Sequence, residues 1–451
     1  MSAVAYLPRL TTATLLPDEA VYLEAGAALV AGDATANPEH PPLAKLLFGL
    51  AQTVVPDPVL AVRLVGVLAG LAIAVALFLL VSRATDRRWG VAAAGVWAIL
   101  PHALRFPDQP FGGFDKLDRY GMLDPVATAL AMLGLVAAMR WWDQRRLPWM
   151  LVAGGLLGLA GAAKLSALLL LPVLLLVPVL SPARTPRVLW SCWAVLGAGA
   201  VAAFLAAFAP LGVDAPAAVA HVVTLQDVHR SGGHPVVIGG VLHDRAPWWA
   251  NLAYQWRDDG AVLTVALVLA AAVGATGRRT RDGSRAVLTA AVLVPLAGLA
   301  LSPVALPHYR FLWLPPLVGL AILGIRDVGR RGLPGRVAAT LVAGVLLVAG
   351  GASVLHPSTR DAGDYRVVAE LVGELDDPRP RVLVVGYPRI LAHYVPQAEL
   401  VRELPADVVV LDPKITARRP VEALEATLRE SGTHRRLEVD RLVVWIEDVD
   451  P

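Results

Sequence analysis

Cysteine is all but missing from this sequence: Cys192 is the one such residue in 451. A disulfide framework within the chain is thereby excluded. Cys192 lies inside an apolar run and reads as a small core- or lipid-facing hydrophobe rather than a reactive thiol. Net charge is low as well, formally +3, which makes no case for a nucleic-acid partner. Lysine is rare, with four residues against 36 arginines. What fills the chain instead is hydrophobic: 56% of residues, against roughly 45–50% in soluble domains. With a mean hydropathy of +0.59, the chain reads as a protein whose solvent is the lipid bilayer.

A helix needs about 20 apolar residues to span a bilayer. Apolar runs of about this kind lie at 59–82, 90–104, 122–139, 149–163, 165–180, 190–210, 260–277, 286–302, 311–325 and 337–355. The runs at 149–163 and 165–180 read as a tight hairpin around Lys164. Arginine clusters in every second connecting loop: Arg83, Arg87 and Arg88; Arg140, Arg145 and Arg146; Arg184 and Arg187; Arg278, Arg279, Arg281 and Arg285; Arg326, Arg330, Arg331 and Arg336. By the positive-inside rule these loops are cytoplasmic. The outer side then receives 17–58, 105–121, 211–259, 303–310 and everything after 356. A span is expected ahead of 17–58, and the residues before Pro17 are too few to form it. An upstream start of translation is therefore expected.

After residue 356 the pattern changes. RVLVVGY (381–387), ADVVVLD (406–412) and DRLVVWIED (440–448) read as strands, and 364–377 and 420–432 as helices. No GxGxxG loop follows the first strand, so no nucleotide is assigned to it. The expected fold is an all-α polytopic membrane domain over 1–356, with about 10–11 spans and amphipathic helices on its outer face. A small extracytoplasmic α/β domain over 357–451 follows. The localisation expected is a multi-pass cell-membrane protein with that domain outside.

Charge within the hydrocarbon is costly and usually functional. Here the spans are clean in their middles, and Arg63, Asp124, Lys164 and Arg310 sit at predicted outer ends. Any site therefore lies at the outer membrane–water boundary, whereas a transporter would place ionisable groups near the midplane. All four lysines, Lys45, Lys116, Lys164 and Lys414, are predicted outside. They suit phosphate as point charges, or they snorkel to the interface. Asp18 and Glu19 open a helix read as amphipathic and interfacial, LPDEAVYLEAGAALVAG (16–32). They are either catalytic or a favourable start to the helix dipole. A second surface helix, NPEHPPLAKLLFGL (37–50), follows. Eight histidines (His40, His102, His221, His229, His234, His243, His308 and His356) fall on the outer side without metal-ligand spacing. No metal is assigned, and a divalent cation stays open as a cofactor.

The order of these features resembles the GT-C superfamily of glycosyltransferases. The outer Asp-Glu pair, HPPLAK (40–45), Arg63, RYGMLDP (119–125), the Gly-Leu-rich turn at Lys164, the long loop at 232–256 and HYRFLWLPP (308–316) carry it. The nearest branch is the protein O-mannosyltransferase group, which includes the lipid A aminoarabinose transferase. The resemblance covers about residues 16–325. It implies transfer of a sugar from a polyprenyl-phosphate donor to an extracytoplasmic acceptor, which is a protein, a glycolipid or an envelope glycan. By match, Asp18 is the base and Glu19 orients it or bonds substrate. Arg63, Lys164, Arg310 and His40 hold the leaving phosphate, with Arg119 and Lys45 behind them. Tyr309, beside His308, stacks on sugar, bonds phosphate or is a belt aromatic. Asp124 pairs with Arg119, binds acceptor or caps its helix. A lipid-linked sugar flippase and a non-catalytic envelope assembly or sensor protein are the competing readings.

Overall fold

The computed structural model describes residues 10–11, 15–100, 116–233, 236–239, 241–277, 283–355, 363–412, 416, 421–439 and 442–447. It divides into two compact units. One holds residues up to Leu10 and Tyr22–Ser358; the other holds Thr11–Val21 and Thr359–Pro451. His102, His234, His356, Lys414 and the arginines at 278–281 fall outside what can be described, as does the side chain of His229.

The larger part is mainly helical. Its helices are α1 (Pro17–Val30), α2 (Leu43–Gln52), α3 (Pro58–Ala84), α4 (Arg87–Ile99), α5 (Leu123–Gln144), α6 (Pro148–Ala163) and α7 (Leu171–Leu180). There follow α8 (Pro186–Ala206), α9 (Ala215–Gly232), α10 (Ala250–Asp259), α11 (Ala261–Thr276), α12 (Ser284–Ala300), α13 (Leu314–Gly329) and α14 (Leu333–Leu355). Each expected apolar run carries one of these helices, and local chemistry sets several starts. Asp57 accepts hydrogen bonds from the backbone of Val59 and Leu60, with Pro58 at the first helical position. Asp86 does the same for Arg88 and Trp89, and Thr185 for Val188 ahead of Pro186. Among the described residues, α3, α5, α8 and α14 are each long and apolar enough to cross a bilayer. The pair α10–α11, bent by 116° at Gly260, makes a fifth if counted as one broken span.

Small residues let the helices approach closely. A Cβ on Gly154 of α6 would lie 2.0 Å from the Leu196 carbonyl of α8, and one on Gly158 would lie 2.1 Å from that of Ala200. Such small-residue seams replace the hydrophobic driving force that helices lack in lipid. α1 differs from its expected amphipathic character. Ala20, Tyr22, Leu23, Ala25 and Leu29 are all buried, because its apolar residues run round most of the helix. Gly26 meets the backbone of α2 so closely that an added Cβ would lie 2.8 Å from the Gly49 nitrogen.

The arginine loops gather at one end of this unit. Arg83, closing α3, pairs with Asp143 at 2.7 Å and donates to Ser284 Oγ at the start of α12. Arg145 donates to Ser181 Oγ beyond α7. Arg285 pairs with Asp327 of α13 at 2.7 Å. These contacts tie together all five loops that carry the arginine excess. The starts of α5 and α13 and the end of α6 lie at the other end.

In the smaller unit five strands form a sheet in the order β4-β3-β5-β7-β6: β3 (Arg381–Val385), β4 (Glu399–Val401), β5 (Val408–Leu411), β6 (His434–Val439) and β7 (Leu442–Glu447). β3 is parallel to β4 and β5; β7 runs antiparallel to β5 and β6. Leu383, Val409, Leu411, Leu428 and Trp445 make its core. A two-stranded hairpin in the helical unit, β1 (Val236–Ile238) and β2 (Val241–His243), lies in the long loop before α10.

Candidate functional site

At the end of the bundle away from the arginine loops, two spans deliver opposite charges to one point. Asp124 stands in the first turn of α5, and Lys164 terminates α6 in an extended conformation, φ −158°. The Lys164 ammonium donates to both carboxylate oxygens of Asp124, each at 2.8 Å. The two side chains are 6% and 7% exposed, so the pair is screened from water and the charges rely on each other. An ammonium has three donors. Two go to Asp124, and among the described residues the third meets no acceptor. Tyr309 lies against the same ammonium, with its ring centre 4.7 Å from Nζ. His308 Nε2 is 4.0 Å from Asp124 Oδ2. Both residues come from a short 3-10 segment, Pro307–Leu312, that leads into α13.

His40 joins this group, close enough to Lys164, Asp124 and His308 to feel their charges; its ring packs edge-on to Tyr22 at 5.8 Å. Burial, reinforced by the Lys164 and Lys45 charges, pushes its imidazole down to about 3. His40 is thus a neutral hydrogen-bonding group and not one of the cations. Lys45 does not point to a free surface. Its ammonium donates to the carbonyls of Asn37 (2.5 Å) and His40 (2.8 Å), which fixes the turn that presents His40. Burial pushes Lys45 down to about 7.

The remaining expected cations have partners of their own. Arg63 of α3 is buried, donates to the Leu10 carbonyl and lies 4.9 Å from the Tyr120 ring centre. The segment 118–120, with Arg119 buried in it, fits onto α3 because Gly66 and Gly70 are there. A Cβ on Gly66 would lie 2.5 Å from the Tyr120 carbonyl, and one on Gly70 2.3 Å from the Asp118 carboxylate. Lys116 donates to the carbonyls of Trp97, Ala98 and Leu100, closing the C-terminal end of α4. Arg310 is buried and binds Asp259 Oδ1 at 2.6 Å, with Asp258 3.9 Å away. Asp258 also takes Arg257, at 2.7 Å. The acid pair closing α10 was not legible as a partner for Arg310, although the run Arg257-Asp258-Asp259-Gly260 marks a polar break between two apolar stretches.

Asp18 and Glu19 belong to the other compact unit. Asp18 is half-buried; Glu19 is fully buried and accepts from its own helix start, the Leu16 nitrogen, at 3.1 Å. Glu19 therefore performs the backbone half of a capping box. Asp18 stands one turn ahead of Tyr22 on the same helix. Among the described residues no group of three or more His, Cys, Asp or Glu side chains is placed to hold a metal ion.

Beside the Lys164 centre a recess of about 750 Å³ opens between the 3-10 segment Leu165–Leu170, α7 and α12. Leu165, Leu168, Leu169, Pro172 and Gly298 make its apolar wall, and Tyr309 forms part of its rim. Tyr309 thus touches both the buried ammonium and the apolar recess. The arrangement suits a ligand with an anionic head and a hydrocarbon tail.

Neither a protein-family model nor a curated protein matches the sequence. Solved structures do. ArnT from Cupriavidus metallidurans, solved bound to undecaprenyl phosphate, superposes with a TM-score of 0.64 at 15% identity, covering 98% of this chain and 96% of that one. The oligosaccharyltransferase of Archaeoglobus fulgidus, solved with Zn and sulfate, gives 0.54 at 11% identity over 91% of this chain and 66% of that one. The archaeal oligosaccharyltransferase AglB from the same organism, in complex with an inhibitory peptide and a dolichol-phosphate, gives 0.50 at 11% identity over 97% and 71%. The likeness runs through nearly the whole chain and, at 11–15% identity, is one of fold.

Proposed function

We propose that this protein is a membrane glycosyltransferase that transfers a sugar from a polyprenyl-phosphate donor to an acceptor on the extracytoplasmic side. The observation that carries the reading is Lys164: a buried ammonium with one donor left over, bordering an apolar recess through Tyr309. A phosphate takes that donor, and the polyprenyl chain lies in the recess. Two of the structural neighbours were solved with such lipid phosphates, undecaprenyl phosphate and dolichol-phosphate.

In the reaction the acceptor's hydroxyl or amine attacks the anomeric carbon, and the bond from that carbon to the phosphate oxygen breaks. Asp18 takes the acceptor's proton, as the resemblance implies. Polyprenyl phosphate leaves with an added negative charge, which Lys164 stabilises more strongly than it does the bound donor. Asp124 keeps Lys164 oriented, and neutral His40 offers a hydrogen bond without adding charge. Arg63, anchored to the Leu10 carbonyl, adds positive charge, whereas the charge of Arg310 is taken up by Asp259.

Asp18→Asn is nearly isosteric. It is expected to lower release of polyprenyl phosphate from a panel of polyprenyl-phosphate sugars by about 10²–10⁴-fold, with binding of undecaprenyl phosphate unchanged. Wild-type turnover in Asp18→Asn would remove the acid from the mechanism. Absence of lipid-phosphate binding by the wild-type protein would overturn the functional reading.

A further inference from the structure

Two recesses lie along α12 and share one lining residue, Val294. The first is the one beside Tyr309. The second, about 710 Å³, lies toward the arginine-loop end and is bordered by Trp142, Leu180, Ala275 and the first half of α12. On α12 the lining positions are Ala286, Ala290, Leu293, Val294 and Gly298, with Leu301 just beyond its end. Steps of three and four place these on one helix face. From Arg285 to Leu301 that face is about 24 Å long at 1.5 Å per residue, most of the roughly 30 Å hydrocarbon thickness.

The second recess is lined mainly by apolar side chains, with Arg285 at one end. Thr289 also lines it, but its hydroxyl donates back to the Arg285 carbonyl at 2.7 Å and so presents its methyl. Arg285 ends the track, its guanidinium held by Asp327 at 2.7 Å and by the Gly274 carbonyl. A phosphate-suited head, an apolar face along α12 and an arginine at its far end together have the geometry of a ruler.

Building on the functional reading above, we infer that the far recess takes the distal isoprene units of the donor, so that the enzyme selects donors by polyprenyl chain length. A short chain fills only the recess beside Tyr309. In lipid the tail gains nothing by leaving water, so selection rests on how well the chain packs against the α12 face.

The test is binding of undecaprenyl phosphate and farnesyl phosphate to the full chain in lipid nanodiscs. Wild type is expected to bind the long chain about tenfold more tightly, the lower end of what one methylene in a fitted pocket is worth. Ala290→Phe fills the track between Val294 and Arg285. It is expected to bring undecaprenyl phosphate to the farnesyl phosphate value while farnesyl phosphate binding stays at the wild-type level, which also reports an intact fold. Should Ala290→Phe bind neither, Ala286→Phe, one turn deeper, carries the same comparison. Equal binding of both lipids by wild type, as when ordinary acyl chains occupy the track, overturns the inference, and so does an undiminished preference in the variant that binds farnesyl phosphate. Either result leaves the functional reading standing. Failure of wild type to bind either lipid phosphate strikes that reading instead.

Discussion

The Lys164–Asp124 pair permits a test in which stability and function separate. Both ions are buried, 2.8 Å apart and bidentate. Removing one partner leaves the other charged in a low-dielectric setting, which costs about 3–5 kcal/mol. Lys164→Met and Asp124→Leu are each expected to lower the melting temperature of the purified protein clearly. The double variant, with neither charge, is expected to recover most of that loss, since apolar replacement of a whole buried pair is often close to neutral. Function should not recover with it. If the third Lys164 donor meets the phosphate, its loss removes a charge-assisted hydrogen bond worth about 1.5–3 kcal/mol, or roughly 10- to 150-fold in affinity. Lys164→Met and the double variant should therefore both bind undecaprenyl phosphate that much more weakly, although only the single variant is unstable. The assays are thermal unfolding in detergent and titration of the lipid phosphate. A double variant with recovered stability and wild-type affinity would show that the pair only holds α5 to α6, and the phosphate assignment would fall.

Two further outcomes follow from the electrostatics and the loop pattern. His40 is held at about 3, against an ordinary value near 6.5, so as pH falls below 6.5 the unfolded chain takes up the proton first. Stability should then be lost between pH 6.5 and 3, by at most about 1.4 kcal/mol per pH unit. His40→Gln should flatten the fall in melting temperature between pH 7 and 5, and an identical fall in the variant would refute a neutral His40. The clustering of the arginine loops leads us to expect the C-terminus outside. A reporter fused after Pro451 should be active only as an export-dependent enzyme, and activity of a cytoplasm-dependent reporter there would reverse the proposed sidedness.

The helices were legible because apolar runs and caps are local signals. The run expected at 59–82 begins one residue after the observed start at Pro58, while the run expected at 190–210 begins four residues after Pro186, where Thr185 caps the helix. The pattern failed where pairing, not periodicity, decides. Val236–Ile238 and Val241–His243 are three-residue antiparallel strands, too short for alternation to show in a stretch read only as a long loop. β6 carries His434, Arg435 and Arg436 and has little apolar character. It is an edge strand paired only to β7, where such charges are favoured.

The site was legible as a list of ions and not as an arrangement, and the lysines show why. Rarity singled out all four as candidate phosphate ligands, but what an ammonium does depends on which acceptors the chain brings to it. Lys116 meets carbonyls that the end of α4 leaves open, and Lys45 meets those of the turn at Asn37 and His40. Both are thereby engaged by the backbone. Lys164 ends its helix in an extended conformation, with the chain turning at once into a 3-10 segment, and among the described residues its ammonium donates to no carbonyl. Its acceptor has to come from another span, and α5 supplies Asp124 some 40 residues earlier in the chain. A carboxylate satisfies two donors and leaves one, whereas the carbonyl caps take up the other two ammonium groups more fully. The same logic explains Arg310. Asp258 and Asp259 lie 51 residues and more before it, at the break between α10 and α11 where Gly260 adopts φ 76°. Sequence spacing does not encode that meeting. It arises from a 116° bend that brings the end of α10 to the start of α13, so the residues that neutralise a candidate cation become visible only once the helices are packed.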